Sequence, residues 1–142
     1  NVAELGYKYH MNDVAAAIGL GNLEDLEWIL RRRHQIVAMY RATLDSIPGV
    51  RLFERKVDRQ SADWLFSIHV ERREDFCRMM AAKDIMVSVV HLRIDRNDIC
   101  GGERGDLPAL NRFTETHISL PLHPYLTDED TQCVIDAVRG GW

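Results

Sequence analysis

The chain of 142 residues has few of the residues and motifs that mark common catalytic and metal sites. Its three cysteines form no C-x-x-C pair and its six histidines show no H-x-x-x-H spacing, so the sequence predicts no metal site. It also has no G-x-S-x-G motif of a serine hydrolase and no P-loop. The residues alone therefore assign no catalytic group.

The chain also lacks the charge and the apolar runs that nucleic-acid and membrane partners require. Its net charge is −4, and the basic run Arg31–Arg33 reads as a solvated helix face, because adjacent helical residues point in different directions. No apolar run is long enough to span a bilayer. Cys77 and Cys133 fall in apolar helical patterns and are predicted to be buried, reduced thiols, which favours a cytoplasmic location.

The first third of the chain has the apolar spacing of helices. Asn12 is a good N-cap for a helix through residues 14–20, whose alanines and glycine allow another element to approach closely. Apolar residues then recur at intervals of three, four and seven from Leu23 to Ile47, and Pro48-Gly49 ends this pattern. The pattern predicts a long amphipathic helix.

Beyond Pro48-Gly49 the pattern changes to one of strands and shorter helices. We predict strands at the segments rich in β-branched and aromatic residues, a helix over 72–83 and a final helix that begins at Thr127 and buries three apolar residues. The predicted strands are 50–53, 64–70, 86–91 and 118–120, and the buried residues of the final helix are Val134, Ile135 and Val138.

This order of elements predicts an α/β fold in one domain, residues 1–142. Residues 1–47 form its helical interface segment. Residues 48–142 form a small α/β sandwich, with a mixed or antiparallel sheet of three or four strands covered by helices. The longest irregular segment runs from Asp95 to Asp106 and contains three glycines that shape turns.

Three segments carry a family resemblance. The run Gly-Tyr-Lys-Tyr-His-Met-Asn-Asp at 6–13, followed by Ala-Ala-Ile-Gly-Leu at 16–20, resembles the G-Y-[NK]-Y-x-M-[TN]-D-x-x-A-A-x-x-L segment of the DegT/DnrJ/EryC1/StrS sugar aminotransferases. Residues 89–98 look like the sugar-facing strand and loop of that family, and residues 120–130 look like the start of its last helix. The three motifs occur in register over essentially the whole chain.

The resemblance implies the C-terminal portion of a fold-type I enzyme that uses pyridoxal 5′-phosphate. Family members transfer an amino group to a keto group on a nucleotide-linked sugar, and their Schiff-base lysine lies in a large N-terminal domain. In this chain, Lys56 lies in a charged turn and Lys83 lies at the end of a predicted helix. A solvated lysine at such a position is a poor nucleophile for imine formation. No cofactor is therefore expected on this chain alone, although the parent enzyme binds pyridoxal phosphate.

The resemblance also implies site residues. Lys8 and His10 would reach the cofactor phosphate of a neighbouring subunit, and packing at a subunit interface is the alternative for the adjacent Tyr7 and Tyr9. The residues that would contact the sugar or the nucleotide phosphates are His91, Arg93, Arg96 and Asn97. Their alternative is ordinary hydrogen bonding and ion pairing within the loop.

Two functions remain open at this level. In the first, the chain is the dimer-forming, substrate-binding part of a nucleotide-sugar aminotransferase and is inactive alone. In the second, it is a free-standing, non-catalytic binding or assembly module that keeps the fold. Both include a homo-oligomer through residues 12–47, because exposed apolar helices are poorly stable in water.

Overall fold

The computed structural model describes residues 9–142 of the chain. They form five α-helices and a sheet of three strands, which confirms the predicted α/β class. The elements are α1 (Asp13–Glu24), α2 (Leu26–Leu44), β1 (Val50–Leu52), β2 (Phe66–Val70), α3 (Arg73–Ala81), α4 (Pro108–Thr116), β3 (His117–Leu120) and α5 (Asp128–Arg139). No helix within the described residues is long and apolar enough to cross a membrane.

The sheet has the order β1-β2-β3 and is antiparallel. Val50 pairs with Val70 across β1 and β2, and Ser67 pairs with Ser119 across β2 and β3. The predicted strand over 86–91 is wrong, because only Ser88 bridges to Ser119, through two backbone hydrogen bonds of 2.9 and 3.2 Å. This segment lies beside β3 at the edge of the sheet, and its backbone makes too few hydrogen bonds with β3 to form a strand.

One face of the sheet and helices α2, α3 and α5 enclose the core. Within this core the Tyr40 hydroxyl donates to the Pro121 carbonyl at 2.9 Å, and burial raises the pKa of Tyr40 above its ordinary value. The largest fully buried side chains are Tyr40, Phe76, Ile36, Leu44, Ile68 and Met80. The apolar stripe predicted along the long helix therefore contributes its second half to this core.

Helices α1 and α2 meet at Asp25, which interrupts the predicted apolar stripe near its start. The Asn12 side chain accepts a 2.8 Å hydrogen bond from the Ala15 amide, as an N-cap does. None of the residues of α1 is buried, whereas α2 buries four, from Ile36 to Leu44. The first helix thus has little tertiary support within the described chain.

Helix α4 was not predicted from the sequence. It begins with Pro108 in its first turn and is only nine residues long, which is shorter than the window in which apolar periodicity identifies a helix. Phe113 of α4 packs against His69 of β2 with ring centroids 5.5 Å apart. Helix α4 therefore covers part of the sheet face opposite the main core.

The final helix α5 follows its prediction closely. Thr127 and Asp130 form a capping box, and the three apolar residues predicted to be buried all lie in the core. The prediction of a buried thiol is wrong for Cys133, which is exposed. The neighbouring Val134 and Thr131 occupy the core-facing side of α5, so Cys133 points away from it.

Candidate functional site

The loop after Ser88 holds all four residues that the resemblance implies for substrate contact. His91 lies at its start, and two short 3₁₀ turns follow, over Ile94–Arg96 and Asp98–Cys100. Arg93 precedes the first turn, and Asn97 separates the two turns. The structure therefore places Arg93, Arg96 and Asn97 on one continuous loop, although their side chains differ greatly in exposure.

Arg93 is the buried centre of this loop, with 1% of its side chain exposed. Its Nε and Nη2 atoms donate to the two carboxylate oxygens of Asp95 at 2.7 and 2.6 Å. Its Nη1 atom donates to Glu103, at 3.1 Å, and to the Asn111 side-chain oxygen of α4. Nη2 also donates to the Arg104 carbonyl at 2.9 Å. All five N–H donors of the guanidinium are thus used within the chain.

These bonds close the loop on itself and attach it to α4. Asp95 is buried and also accepts a hydrogen bond from the Arg104 amide at 3.0 Å. The Arg93 guanidinium, followed by the Arg104 amide, holds the pKa of Asp95 well below its ordinary value. The implied contact of Arg93 with a substrate stays a prediction, whereas its contacts in this structure are those of a loop anchor.

The other three loop residues are exposed. Arg96 donates from Nε to Glu103 at 3.0 Å, with half of each side chain exposed, and Asn97 donates from its amide to the Ile94 carbonyl at 2.8 Å. The His91 ring lies 6.0 Å from the exposed ring of Trp64, measured between centroids. The sequence pattern predicts Trp64 only as a strand residue, and no signal in the sequence connects it with His91.

The contact of Lys8 and His10 with a cofactor phosphate stays a prediction. Lys8 lies outside the described residues, and His10 is exposed just before α1. Lys56 is exposed and pairs with Glu54 at 2.8 Å, and Lys83 is exposed after the end of α3. Neither of these lysines is desolvated, so the lysines that the structure describes do not fit the imine-forming lysine of pyridoxal phosphate enzymes.

No three His, Cys, Asp or Glu side chains lie close enough to hold a metal ion anywhere in residues 9–142.

A second polar cluster lies beneath α4, on the sheet face opposite the main core. The His69 Nδ1 atom lies 2.7 Å from the Thr116 hydroxyl, and the His69 ring contacts Phe53 and Phe113. His117 is also buried, and its Nδ1 donates to the Phe113 carbonyl at 3.0 Å. Burial lowers the pKa of His69 below its ordinary value, and nearby charge on Arg51 and His117 adds to this effect.

This lowered pKa predicts a pH dependence of stability. In the unfolded chain His69 takes up a proton near its ordinary pKa of about 6.5, whereas the folded chain resists protonation. The contribution of His69 to the free energy of unfolding is therefore complete above this pH and is lost progressively as the pH falls from it through the lower pKa of the folded chain.

Urea unfolding between pH 8 and pH 5 measures this effect. His69→Phe keeps an aromatic ring and is expected to flatten the loss of stability with falling pH. His123→Gln, at an exposed position, is the matched control and is expected to leave the profile unchanged. An equal flattening in both variants would contradict the assignment to His69.

Comparison with known proteins matches the chain to one protein family and to several solved structures. A family model described as the DegT/DnrJ/EryC1/StrS aminotransferase family matches residues 1–139. The chain is similar to the sugar aminotransferase CalS13 from Micromonospora echinospora, with a TM-score of 0.93, 35% identity, and coverage of 100% of this chain and 38% of that chain. AtS13 from Actinomadura melliaura gives a TM-score of 0.92, 37% identity and the same two coverages.

A relative found by sequence is also much longer than this chain. The spore coat polysaccharide biosynthesis protein SpsC of Bacillus subtilis is 30% identical over 151 residues, which include 94% of this chain and 37% of that protein. The chain therefore spans less than two-fifths of the length of each of these proteins.

Proposed function

Because the chain belongs to the DegT/DnrJ/EryC1/StrS aminotransferase family, we propose that it is the dimer-forming, substrate-binding C-terminal part of a nucleotide-sugar aminotransferase. The family match over residues 1–139, with structural agreement over the whole chain, carries this proposal. The chain alone is inactive, since its described lysines are solvated and fit no Schiff-base role. Pyridoxal phosphate belongs to the parent enzyme, whose location is cytoplasmic.

In this proposal the loop around Arg93 presents the substrate-binding residues. His91, Arg96 and Asn97 are exposed on a loop that the buried ion pair of Arg93 and Asp95 holds in place. Their side chains can donate hydrogen bonds to the hydroxyl and phosphate groups of a nucleotide sugar. Arg93 positions this loop. Lys8 and His10 supply donors for the cofactor phosphate of a neighbouring subunit.

The proposal predicts that no single lysine of this chain reacts with the cofactor as an enzyme lysine does. After incubation with pyridoxal phosphate and reduction with borohydride, peptide mapping by mass spectrometry is expected to find only partial labelling, spread over Lys8, Lys56 and Lys83. Assays with glutamate as amino donor are expected to show no amino transfer. The physical reason is that a solvated lysine is mostly protonated near neutral pH.

Three single variants, Lys8→Arg, Lys56→Arg and Lys83→Arg, serve as matched controls, and each is expected to remove only its own share of the label. Stoichiometric labelling that one of these variants abolishes, together with amino transfer, would overturn the claim that the chain alone is inactive.

We also propose self-association through residues 12–47. Helix α1 has ionised side chains only at its ends, Asp13 and Glu24, and none of its residues is buried. A helix that is apolar on all sides is normally covered by other protein. Its exposed apolar residues are Val14, Ile18, Leu20 and Leu23, and α2 adds Leu26 and Trp28. A second copy of the chain presents the same surface and buries it symmetrically.

A further inference from the structure

Two buried histidines lie side by side on the sheet beneath α4. His69 of β2 and His117 of β3 are direct partners in the antiparallel register, so their side chains share the face opposite the main core. They are 8% and 4% exposed. The Phe113 ring of α4 is stacked on His117 at 4.4 Å and lies edge-on to His69 at 5.5 Å, measured between centroids. The two histidines therefore form part of the surface on which α4 packs.

Hydrogen bonds to α4 fix the tautomer of both rings. The Thr116 hydroxyl donates its only hydrogen to the Arg112 carbonyl at 2.8 Å, so His69 Nδ1, 2.7 Å from that hydroxyl oxygen, must be the donor to it. His117 Nδ1 donates to the Phe113 carbonyl at 3.0 Å, because a carbonyl oxygen only accepts. Each neutral ring thus carries its proton on Nδ1, and a further proton would go to Nε2.

The surroundings of the pair do not suit a charged imidazole. The His117 Nε2 atom is buried and has no hydrogen-bond partner among the described residues. A proton on this atom would therefore be a buried donor without an acceptor, which is costly. Among residues 9–142, His34 is the only histidine in an ion pair with a carboxylate, so neither ring of the pair has an anion to stabilise a positive charge.

The charged groups around the pair also disfavour its protonation. Arg51 is the register partner of His69 on the β1 side, so a charged His69 would lie between Arg51 and a charged His117. Burial lowers the pKa of His69, and charge on Arg51 and His117 adds to this effect. The charged side chains on the elements around the pair are Arg51 of β1, Arg73 and Glu74 of α3, and Arg112 and Glu115 of α4.

Helix α4 connects this pair to the loop around Arg93. Arg93 donates from Nη1 to the side-chain oxygen of Asn111 in α4, and the loop continues directly into α4 at Pro108. The buried Asp95 does not titrate near neutral pH, because Arg93 holds its pKa far below its ordinary value. A change in this loop between pH 8 and pH 5 must therefore originate outside the ion pair of Arg93 and Asp95.

We propose that His69 and His117 form a pH-sensitive lock on α4. Near neutral pH both rings are neutral and α4 stays packed on the sheet. In mildly acid solution an open state, in which α4 has left the sheet, takes up protons that the closed state resists, because water hydrates the charged rings. Release of α4 moves Asn111 and frees the loop around Arg93. The lock goes beyond the proposed function and acts whether or not the loop binds a substrate.

Native-state hydrogen exchange of the unmodified chain between pH 7.5 and pH 5.5, corrected for the intrinsic rates, tests the lock. The opening constants at the amides of Asn111 and Arg104, which donate to the Leu107 carbonyl and to Asp95, are expected to rise roughly tenfold as the pH falls. The amide of the fully buried Tyr40 in α2 reports global unfolding and is expected to open far less at every pH. Opening constants equal to that of Tyr40, or independent of pH, would overturn the proposal.

Three variants assign the effect to the pair. His69→Gln can still donate to the Thr116 hydroxyl and His117→Gln to the Phe113 carbonyl, but neither side chain takes up a proton. Each is expected to reduce the rise by roughly threefold. His91→Gln is the matched control, because His91 is exposed on the loop itself, and it is expected to leave the rise unchanged. Equal effects of His91→Gln and His69→Gln would contradict the assignment.

The tautomers offer a test that needs no variant. Long-range ¹H–¹⁵N NMR spectra of the unmodified chain at pH 8 are expected to show the proton of both His69 and His117 on Nδ1 and none on Nε2. A proton on Nε2 of His117 would mean that this atom has an acceptor, and the lock would lose its basis.

Discussion

Replacing Arg93 with methionine is expected to open the loop between Leu92 and Leu107 while leaving the helical core folded. The variant removes all five hydrogen bonds of the guanidinium and leaves the buried Asp95 carboxylate without its cation. In the unmodified chain the Arg104 amide donates to Asp95. Hydrogen exchange at this amide is expected to accelerate by roughly tenfold or more in the variant. The pKa of Asp95 is expected to rise toward its ordinary value, because the hydrogen bonds from Arg93 are the main cause of its lowering.

Arg96→Met is the matched control in the same loop. Arg96 makes one side-chain bond, to Glu103, and half of its side chain is exposed, so its loss is expected to change exchange at Arg104 very little. Native-state hydrogen exchange followed by NMR compares the two variants directly. Equal acceleration in both, or none in Arg93→Met, would show that Arg93 does not anchor the loop.

The double variant Ile18→Asp, Leu23→Asp is expected to convert a self-associated chain into a monomer of 16.4 kDa. Ile18 and Leu23 are 61% and 60% exposed on α1, on different sides of the helix, so two charges disrupt an interface on either side. Loss of anchor residues at the centre of an interface costs about 2 kcal/mol or more, which weakens association by roughly 30-fold. Sedimentation velocity at micromolar concentration measures the mass of each species.

Val57→Asp is the control for the added charge, because Val57 is fully exposed and lies outside residues 12–47. It is expected to leave the association unchanged. An unmodified chain that sediments as a clean monomer at micromolar concentration would contradict self-association through this segment, as would an equal effect of Val57→Asp.

The fold was largely predictable where the local sequence carries its own signal. Thr127 and Asp130 cap α5 as the sequence indicates, and the motif that begins at Gly6 led to the family that the comparison over residues 1–139 confirms. Helix α4 escaped prediction because its nine residues are too few for apolar periodicity to identify a helix, although Phe113 packs against the sheet in the folded chain. The segment 86–91 has the composition of a strand, but it makes a single β-bridge, from Ser88 to Ser119, because it lies at the edge of the sheet.

The candidate site was predictable only as a stretch of sequence. The motif grouped His91, Arg93, Arg96 and Asn97 as one set of ligand contacts, and the structure separates them by burial. Arg93 turns inward because Asn111 and Glu103, ten and more residues further along the chain, lie where its guanidinium ends. Sequence spacing cannot give that juxtaposition.

The sequence by itself determined the family, the α/β class and the positions of the main helices, since capping, apolar periodicity and motif order are properties of neighbouring residues. Only the tertiary structure decided which charges are internal and which face solvent. Arg93 is buried with Asp95, whereas Arg96, three residues further along the chain, has half of its side chain exposed. The reason is physical: the cost of burying a charge depends on partners that the fold brings together from distant positions in the chain.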